Sequence, residues 1–341
     1  MKWYICEIGN TFYDSDTLSI VITGYFCRKE VLLQVRIEML VMNEIMKIDT
    51  VQQYNDYFGI ETCHPLVSVI EGKQAKPLRF CKKLYNVYAV LLKDTDCGNL
   101  RYGQSIYDYQ QGAMLFLAPG QVMGSEDDGL LHQSEGWVLV FHPEFLRGTP
   151  LINTIRDYTY FLYNANEALH LSDQERRMVI ECMEKIRAEL QHPIDKHSKS
   201  LIMDNVKLLL DYSIRFYDRQ FITRENANHD ILTRFENLLD EYFSSATLTR
   251  EGMPSVQYCA DKLCLSANYF SDLCRKETGM SALKHIQQKM FDVAKEQVFN
   301  TSKSISEISY DLGFPYPQHF SRWFKKIAGC TPNGYRQEQS N

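Results

Sequence analysis

Long apolar runs are missing from this 341-residue sequence. A membrane helix needs roughly 18 to 20 consecutive uncharged apolar residues, and no stretch approaches that. The longest candidates, Val87–Leu92 and Val138–Phe141, are strand-sized, so a helix-spanning membrane protein is excluded. Cys-x-x-Cys is missing too. Ten cysteines are scattered singly from Cys6 to Cys330, with no secretory signature before them. Free thiols in a reducing cytosol therefore fit better than a disulfide framework, and a structural zinc site is not expected. Positive charge is also short, with 37 Lys and Arg against 43 Asp and Glu and a net charge of −6. The deficit is uneven. Residues 255–341 hold 11 basic against 8 acidic residues (+3), and the remainder 26 against 35 (−9). The basic excess lies where a nucleic-acid-binding module at the C-terminal end would need it. What is present is ordinary globular composition, 45% apolar and 23% charged, at a length that suggests two domains.

Residues 1–41 show neither clear periodicity nor a targeting signature. They are either an extra N-terminal element or a leader upstream of a true start near Met42. From about residue 60 to 145 the sequence reads as β: Leu66–Ile70, Tyr85–Leu92, Asn99–Tyr109, Ala113–Leu117 and Trp137–Phe141, separated by turn chemistry such as Glu71-Gly72 and Pro119-Gly120. Short strands at that spacing imply a sandwich or small barrel. After about residue 170 the period becomes helical. Ser172 and Glu175 make a capping box, and Val179, Cys182, Met183, Ile186 and Leu190 share one face. A second amphipathic helix is expected over about Lys196–Arg219. Both helices either pack on the β domain or pair, within residues 172–219, with a second copy of the chain in a homodimer. The polar run Thr223–Asp230 reads as a linker.

Beyond Asp230 short helices and turns repeat. Ser255 caps a helix over Val256–Leu263, Cys264–Ser266 form a tight break, and a second helix runs from Ala267 to Thr278 and stops at Gly279. The same unit returns at Ser304–Gly313, Phe314–Pro317, Gln318–Ala328 and Gly329. At an offset of 50 residues Phe270, Ser271, Lys276 and Gly279 match Phe320, Ser321, Lys326 and Gly329, whereas before the turn the offset is 49. One helix of about 20 residues, Ser281–Asn300, joins the units and spans roughly 30 Å. Successive major grooves on one face of B-DNA are about 34 Å apart, so both second helices can reach adjacent groove segments. Double-stranded DNA is therefore the expected partner.

The run Asp311-Leu312-Gly313-Phe314, Phe320-Ser321-Arg322-Trp323-Phe324-Lys325-Lys326, Gly329, Pro332 and Tyr335-Arg336 resembles the signature of AraC/XylS-type transcriptional regulators. Ser266, Tyr269, Phe270, Leu273 and Lys276–Gly279 fit the same family in the first unit. The resemblance covers about 100 residues and implies a paired helix-turn-helix DNA-binding domain joined to a sensing or dimerising domain. It places Asn268, Ser271 and Asp272 of the first helix, and Gln318, His319 and Arg322 of the second, at base-facing positions. Arg322 suits guanine, and Gln318 suits adenine. Asp272 departs from the pattern, in which many relatives carry a basic or neutral polar residue; an acidic residue can accept from cytosine N4 but repels phosphate. Lys276, Lys325 and Lys326 suit the DNA backbone. RNA polymerase is a further partner open to such a regulator.

Gly112–Gln121 resembles the strand and turn of a cupin-like domain, a common sensor in these regulators. Metal-binding cupins carry His-x-His, which is missing here. His142 with Glu144, even joined by His132, makes a poor facial triad, so neither metal nor other cofactor is expected. A pocket for a small-molecule effector is expected instead, around Tyr88, Arg101, Tyr102 and Trp137. The expected architecture is α+β in two domains. A cupin-like β-barrel or sandwich with two amphipathic helices spans 42–222, a linker 223–230, and an all-α domain of two helix-turn-helix units joined by a long helix 231–341. The expected function is cytoplasmic, nucleoid-associated DNA-binding regulation without catalysis. Two rivals stand beside it: a cupin-type metal-dependent enzyme with a helical appendix, and a regulator whose β domain only dimerises or binds another protein.

Overall fold

The computed structural model describes residues 45–79, 81–93, 100–102, 105–107, 112–125, 127–300 and 303–339. The proposed extension 1–41 lies outside the described residues. Lys47–Asn341 forms one contact unit.

The β-rich part contains β1 (Met46–Ile48), helix α1 (Val51–Phe58), β2 (Val67–Glu71), β3 (Lys83–Tyr85), β4 (Tyr88–Lys93), β5 (Leu100–Tyr102), β6 (Ser105–Tyr107), β7 (Ala113–Leu117), β8 (Gln121–Met123), β9 (Trp137–Phe141), α2 (Leu151–Thr154) and β10 (Leu169–His170). Five strands make an antiparallel sheet in the order β10-β7-β4-β9-β2. A smaller sheet has the order β1-β3-β8, and β5 pairs with β6. In the large sheet Val90 lies opposite both Phe116 and Leu139, and Val69 lies opposite Leu139. Alternation therefore splits the strands between two cores. Val67, Val69, Val90, Leu92, Met114, Phe116, Trp137, Leu139 and Phe141 face the helices that follow. Ile70, Ala89, Leu91, Ala113, Leu115, Leu117 and Val140 face α1 and the small sheet. Burial on both faces explains why these strands read as unbroken apolar runs.

One boundary differs from expectation. The strand expected over Tyr85–Leu92 is two strands in two sheets, broken at Asn86-Val87. There the Asn86 N–H donates to Ile48 O, and its amide donates to Asp49 Oδ1 at 2.6 Å.

Helices α3 (Asp173–Gln191) and α4 (Ser198–Thr223) cover one face of the large sheet. The Ser172/Glu175 capping box forms, and Val179, Cys182, Met183 and Ile186 are buried in the first core. Their apolar stripes are thus covered by their own chain. Arg219 of α4 clamps the Glu175 carboxylate with two bonds of 2.9 Å and donates to His170 O. Arg187 of α3 bonds Glu71 at 2.9 Å with its guanidinium over the Trp137 ring. The tyrosine-rich run 158–163 packs between sheet and helices. Tyr160 donates to Leu210 O, Tyr158 to Asp211 Oδ1.

The polar run Thr223–Asp230 is not an extended linker. Helix α5 (Glu225–Ser244) begins two residues after α4 ends, with only Arg224 between them. The run contains no Gly or Pro to stop a helix. Asn228 is buried, and its amide donates to Phe221 O (2.8 Å) and Glu277 Oε1 (2.6 Å). Helices α6 (Ala246–Glu251), α7 (Val256–Lys262), α8 (Ala267–Thr278), α9 (Ala282–Asn300), α10 (Ile305–Asp311), α11 (Pro317–Ala328) and α12 (Pro332–Gln339) follow. They enclose a second core containing Phe235, Leu239, Phe270, Ile286, Met290, Ile308, Leu312, Phe320 and Phe324. Its central helix α9 has 19 residues, about 28 Å at 1.5 Å each.

Candidate nucleic-acid interface

Two helix pairs, α7–α8 and α10–α11, are built alike. Ser255 and Ser304 cap the first helix of each, accepting from the N–H groups of Tyr258 and Glu307. Each first helix ends in a residue with positive φ, Cys264 (60°) in one and Gly313 (76°) in the other. In both, the next N–H reaches back five residues: Leu265 to Ala260 O, and Phe314 to Ser309 O. These are the same turn at an offset of 49 residues. Each second helix stops at a left-handed glycine, Gly279 (φ 74°) or Gly329 (φ 82°), whose N–H returns to Arg275 O or Lys325 O. Phe270 and Cys274 of α8, like Phe320 and Phe324 of α11, point into the shared core.

The outward faces differ. On α11, Gln318, His319, Arg322, Lys325 and Lys326 are all exposed, with Tyr316 against the His319 ring. No side chain caps the N-terminus of this helix, and Pro317 occupies its first turn. Pro317 has no N–H, and those of His319 and Phe320 bond Tyr316 O, so this end offers an anion its positive dipole rather than a set of free donors. On α8, Asn268 and Ser271 are half-buried. Asp272 accepts from Tyr163 Oη at 2.9 Å and from Arg275 at 2.9 Å. Lys276 pairs with Asp218 at 2.6 Å. Arg336 is held within the fold, donating to Val298 O and Lys303 O at the end of α9.

Residues 259–338 match the family model described as a helix-turn-helix domain. The C-terminal domain is a helix-turn-helix domain of the AraC type. Similar proteins include the HTH-type transcriptional regulator YtdP of Bacillus subtilis, 28% identical over 114 residues, 33% of this chain and 14% of YtdP. The arabinose operon regulatory protein of Salmonella typhimurium is 29% identical over 101 residues, 30% of this chain and 32% of that protein. The chain thus spans a third or less of the length of these relatives. Among solved structures, the C-terminal domain of the response regulator yesN from Fusobacterium nucleatum is 27% identical. The match covers 31% of this chain and 98% of that one, with a TM-score of 0.28.

Outside the helix-turn-helix domain the β-rich part holds a cavity of about 240 Å³. Tyr54, Tyr57, Tyr85, Cys81, Lys83 and Arg79 are among its lining residues. The Lys83 ammonium lies 4.5 Å over the Tyr57 ring, and burial lowers its pKa from the ordinary lysine value. Two of the residues expected to line a pocket, Tyr88 and Trp137, are absent from its walls. Tyr88 stacks on Phe141 and meets Phe161 edge-on, and Trp137 lies under Arg187. Both occupy the helix-facing side of the sheet, opposite the cavity. Arg101 and Tyr102 lie in β5, but their side chains fall outside the described residues. His132 pairs with Asp128, and His142 accepts from Glu144 N–H. Among the described residues no group of His, Cys, Asp and Glu could hold a metal ion.

Sequence reasoning missed the partners of α8, namely Tyr163, Asn166, Glu167, Asp218 and Asn228. The one available signal was Asp272, an acidic residue at a position that should favour DNA.

Proposed function

We propose that the chain is a sequence-specific DNA-binding transcriptional regulator of the AraC type. The observation that carries this reading is the exposed face of α11, on which Gln318, His319, Arg322, Lys325 and Lys326 are all open to solvent. Arg322 reads guanine and Gln318 adenine, and the lysines neutralise phosphate. Asn268, Ser271, Asp272 and Lys276 are the corresponding residues of the first helix pair. The DNA-binding part spans 231–341 and the sensing part 42–222, a cupin-like domain in this reading. The effector pocket is the cavity beside Lys83 and Tyr57, whose ammonium and aromatic walls suit a small anionic or aromatic molecule. Exposed Leu201 and Leu208, seven residues apart on α4, support homodimerisation through that helix. No catalysis is required, and the site of action is the cytoplasmic nucleoid, with RNA polymerase as a further partner.

Selection of bound duplexes from a random DNA pool at two salt concentrations tests the reading. A recovered sequence motif supports it. Binding without a motif that vanishes as salt rises would reduce it to phosphate attraction.

A further inference from the structure

The internal repeat supplies its own control for the first reading helix. At an offset of 50 residues Tyr269, Asp272, Leu273 and Lys276 of α8 stand where His319, Arg322, Trp323 and Lys326 stand on α11. On α11 three of these four are exposed and Trp323 is half-buried. On α8 Tyr269 and Leu273 are buried, and they belong to the core of the β-rich domain rather than to that of the helical domain. The Tyr269 ring packs edge-on against Tyr163 and tilted on Phe221, both at 5.2 Å. Asp272 holds Tyr163 Oη, Lys276 holds Asp218, and Glu277 accepts from Asn228.

The N-terminus of α8 is also taken. Glu167 Oε1 accepts from Ser266 N–H at 2.6 Å, and Oε2 accepts from Ser266 Oγ at 2.5 Å. A carboxylate of the chain's own β-rich domain thus occupies the positive end of the helix, where a DNA phosphate would otherwise bind. Asn166 donates to Cys264 O in the preceding turn at 3.3 Å. The equivalent end of α11 is uncapped.

We propose that this conformation is a latched one. The chain presents a single reading helix, α11, and stores the other, α8, against its own β-rich domain. Release of α8 from Tyr163, Glu167 and Asp218 converts one-site DNA binding into two-site binding. The proposal rests on the DNA-reading assignment above and gives Asp272 its role: it is the latch's acceptor, where the second copy has a base-reading arginine. Because DNA and the β-rich domain compete for one face of α8, the unlatched fraction scales the apparent affinity for a two-site duplex.

The test uses the full chain in three forms, wild type, Tyr163→Phe/Asp218→Asn and Arg322→Ala, each selecting from the same random duplex pool. Neither latch substitution replaces a proposed DNA contact; each removes only the partner that Asp272 or Lys276 holds in the β-rich domain. Wild type is expected to recover one half-site. The latch variant is expected to recover two half-sites about one helical turn apart, and to bind that duplex on the order of tenfold more tightly than wild type. Identical motifs and affinities for these two proteins would overturn the latch, while specificity loosened at one base position in Arg322→Ala would leave the DNA reading standing. If neither wild type nor the latch variant recovered any motif, the DNA reading would fail instead.

A cross-link judges the docking independently. Under an added mild oxidant such as dissolved oxygen with copper phenanthroline, Asn166→Cys should form a disulfide with Cys264 in the DNA-free protein, identified by peptide mapping. In the latch-variant background, oxidation should return the footprint to one half-site and reduction should restore two. No such disulfide without DNA would overturn the docked arrangement.

Discussion

Arg322 and Asp272 occupy one position in two copies of a helix, and their surroundings assign them opposite work. Arg322 is exposed among cations, so its five donors are available for a guanine edge. Replacing it with Ala should cost about 1 to 3 kcal/mol of binding and loosen specificity at one base position, measured by competition with single-base variants of a selected site. A loss equal for every sequence would make Arg322 a phosphate contact. Gly313 and Cys264 show a second asymmetry. Both have positive φ, but a Cβ on Gly313 would lie 2.3 Å from Leu248 O and 2.5 Å from the Gly252 Cα. Neither backbone atom can yield as a flexible side chain would. Gly313→Ala should therefore destabilise the helical domain by roughly 2 kcal/mol or more, seen as a lower midpoint in chemical denaturation. An unchanged midpoint would mean that α6 shifts freely.

At the scale of elements, α8 is the helix shared between two cores. Phe270 and Cys274 face the helical core, Tyr269 and Leu273 the β-rich one. Helical periodicity shows that both faces are apolar but not that they meet different partners. Thiol chemistry can report this packing. Burial pushes the Cys274 thiol up to about 12 and Cys259 of α7 up to about 11, whereas Cys63 and Cys264 are exposed. In the native protein a maleimide should label Cys63 and Cys264 within minutes and spare Cys259 and Cys274 until unfolding, as read by peptide mass spectrometry. Rapid labelling of Cys274 would show that α8 is loosely held. The join between α4 and α5 makes a similar point. Thr223–Asp230 is polar enough to read as a linker, yet Asn228 bonds the end of α4 and Glu277 of α8, so helical structure continues through it with a one-residue break.

At the scale of the whole molecule, the junction between its two parts contains a buried carboxylate. Burial raises the Glu167 pKa above the usual glutamate value, and the N–H and hydroxyl donors of Ser266, with the Asn164 N–H, pull it partly back. A raised carboxyl binds its proton more readily in the folded state. Its contribution to stability is therefore complete below the ordinary glutamate range and is lost as pH rises through the raised value. Glu167→Gln cannot ionise and should lack that slope. Denaturation from about pH 4 to 8 should show wild type losing ground to the variant as pH rises; parallel curves would mean that Glu167 titrates normally. Much of the design was legible in the residues alone: the β-to-helix change of period, the Ser172/Glu175 cap, both helix pairs with their glycine stops, and the outward row Gln318, His319 and Arg322. These are local features, determined by periodicity, capping and repetition within a few turns of chain. The tertiary structure alone decided which side of the sheet Tyr88 and Trp137 occupy, since alternation divides residues into two faces without saying which borders a cavity. It alone decided that Glu167 reaches Ser266 across 99 positions and Tyr163 reaches Asp272 across 109. Hydrogen bonds of that range carry no periodic signature, because they depend on how two separately patterned domains come to rest against each other.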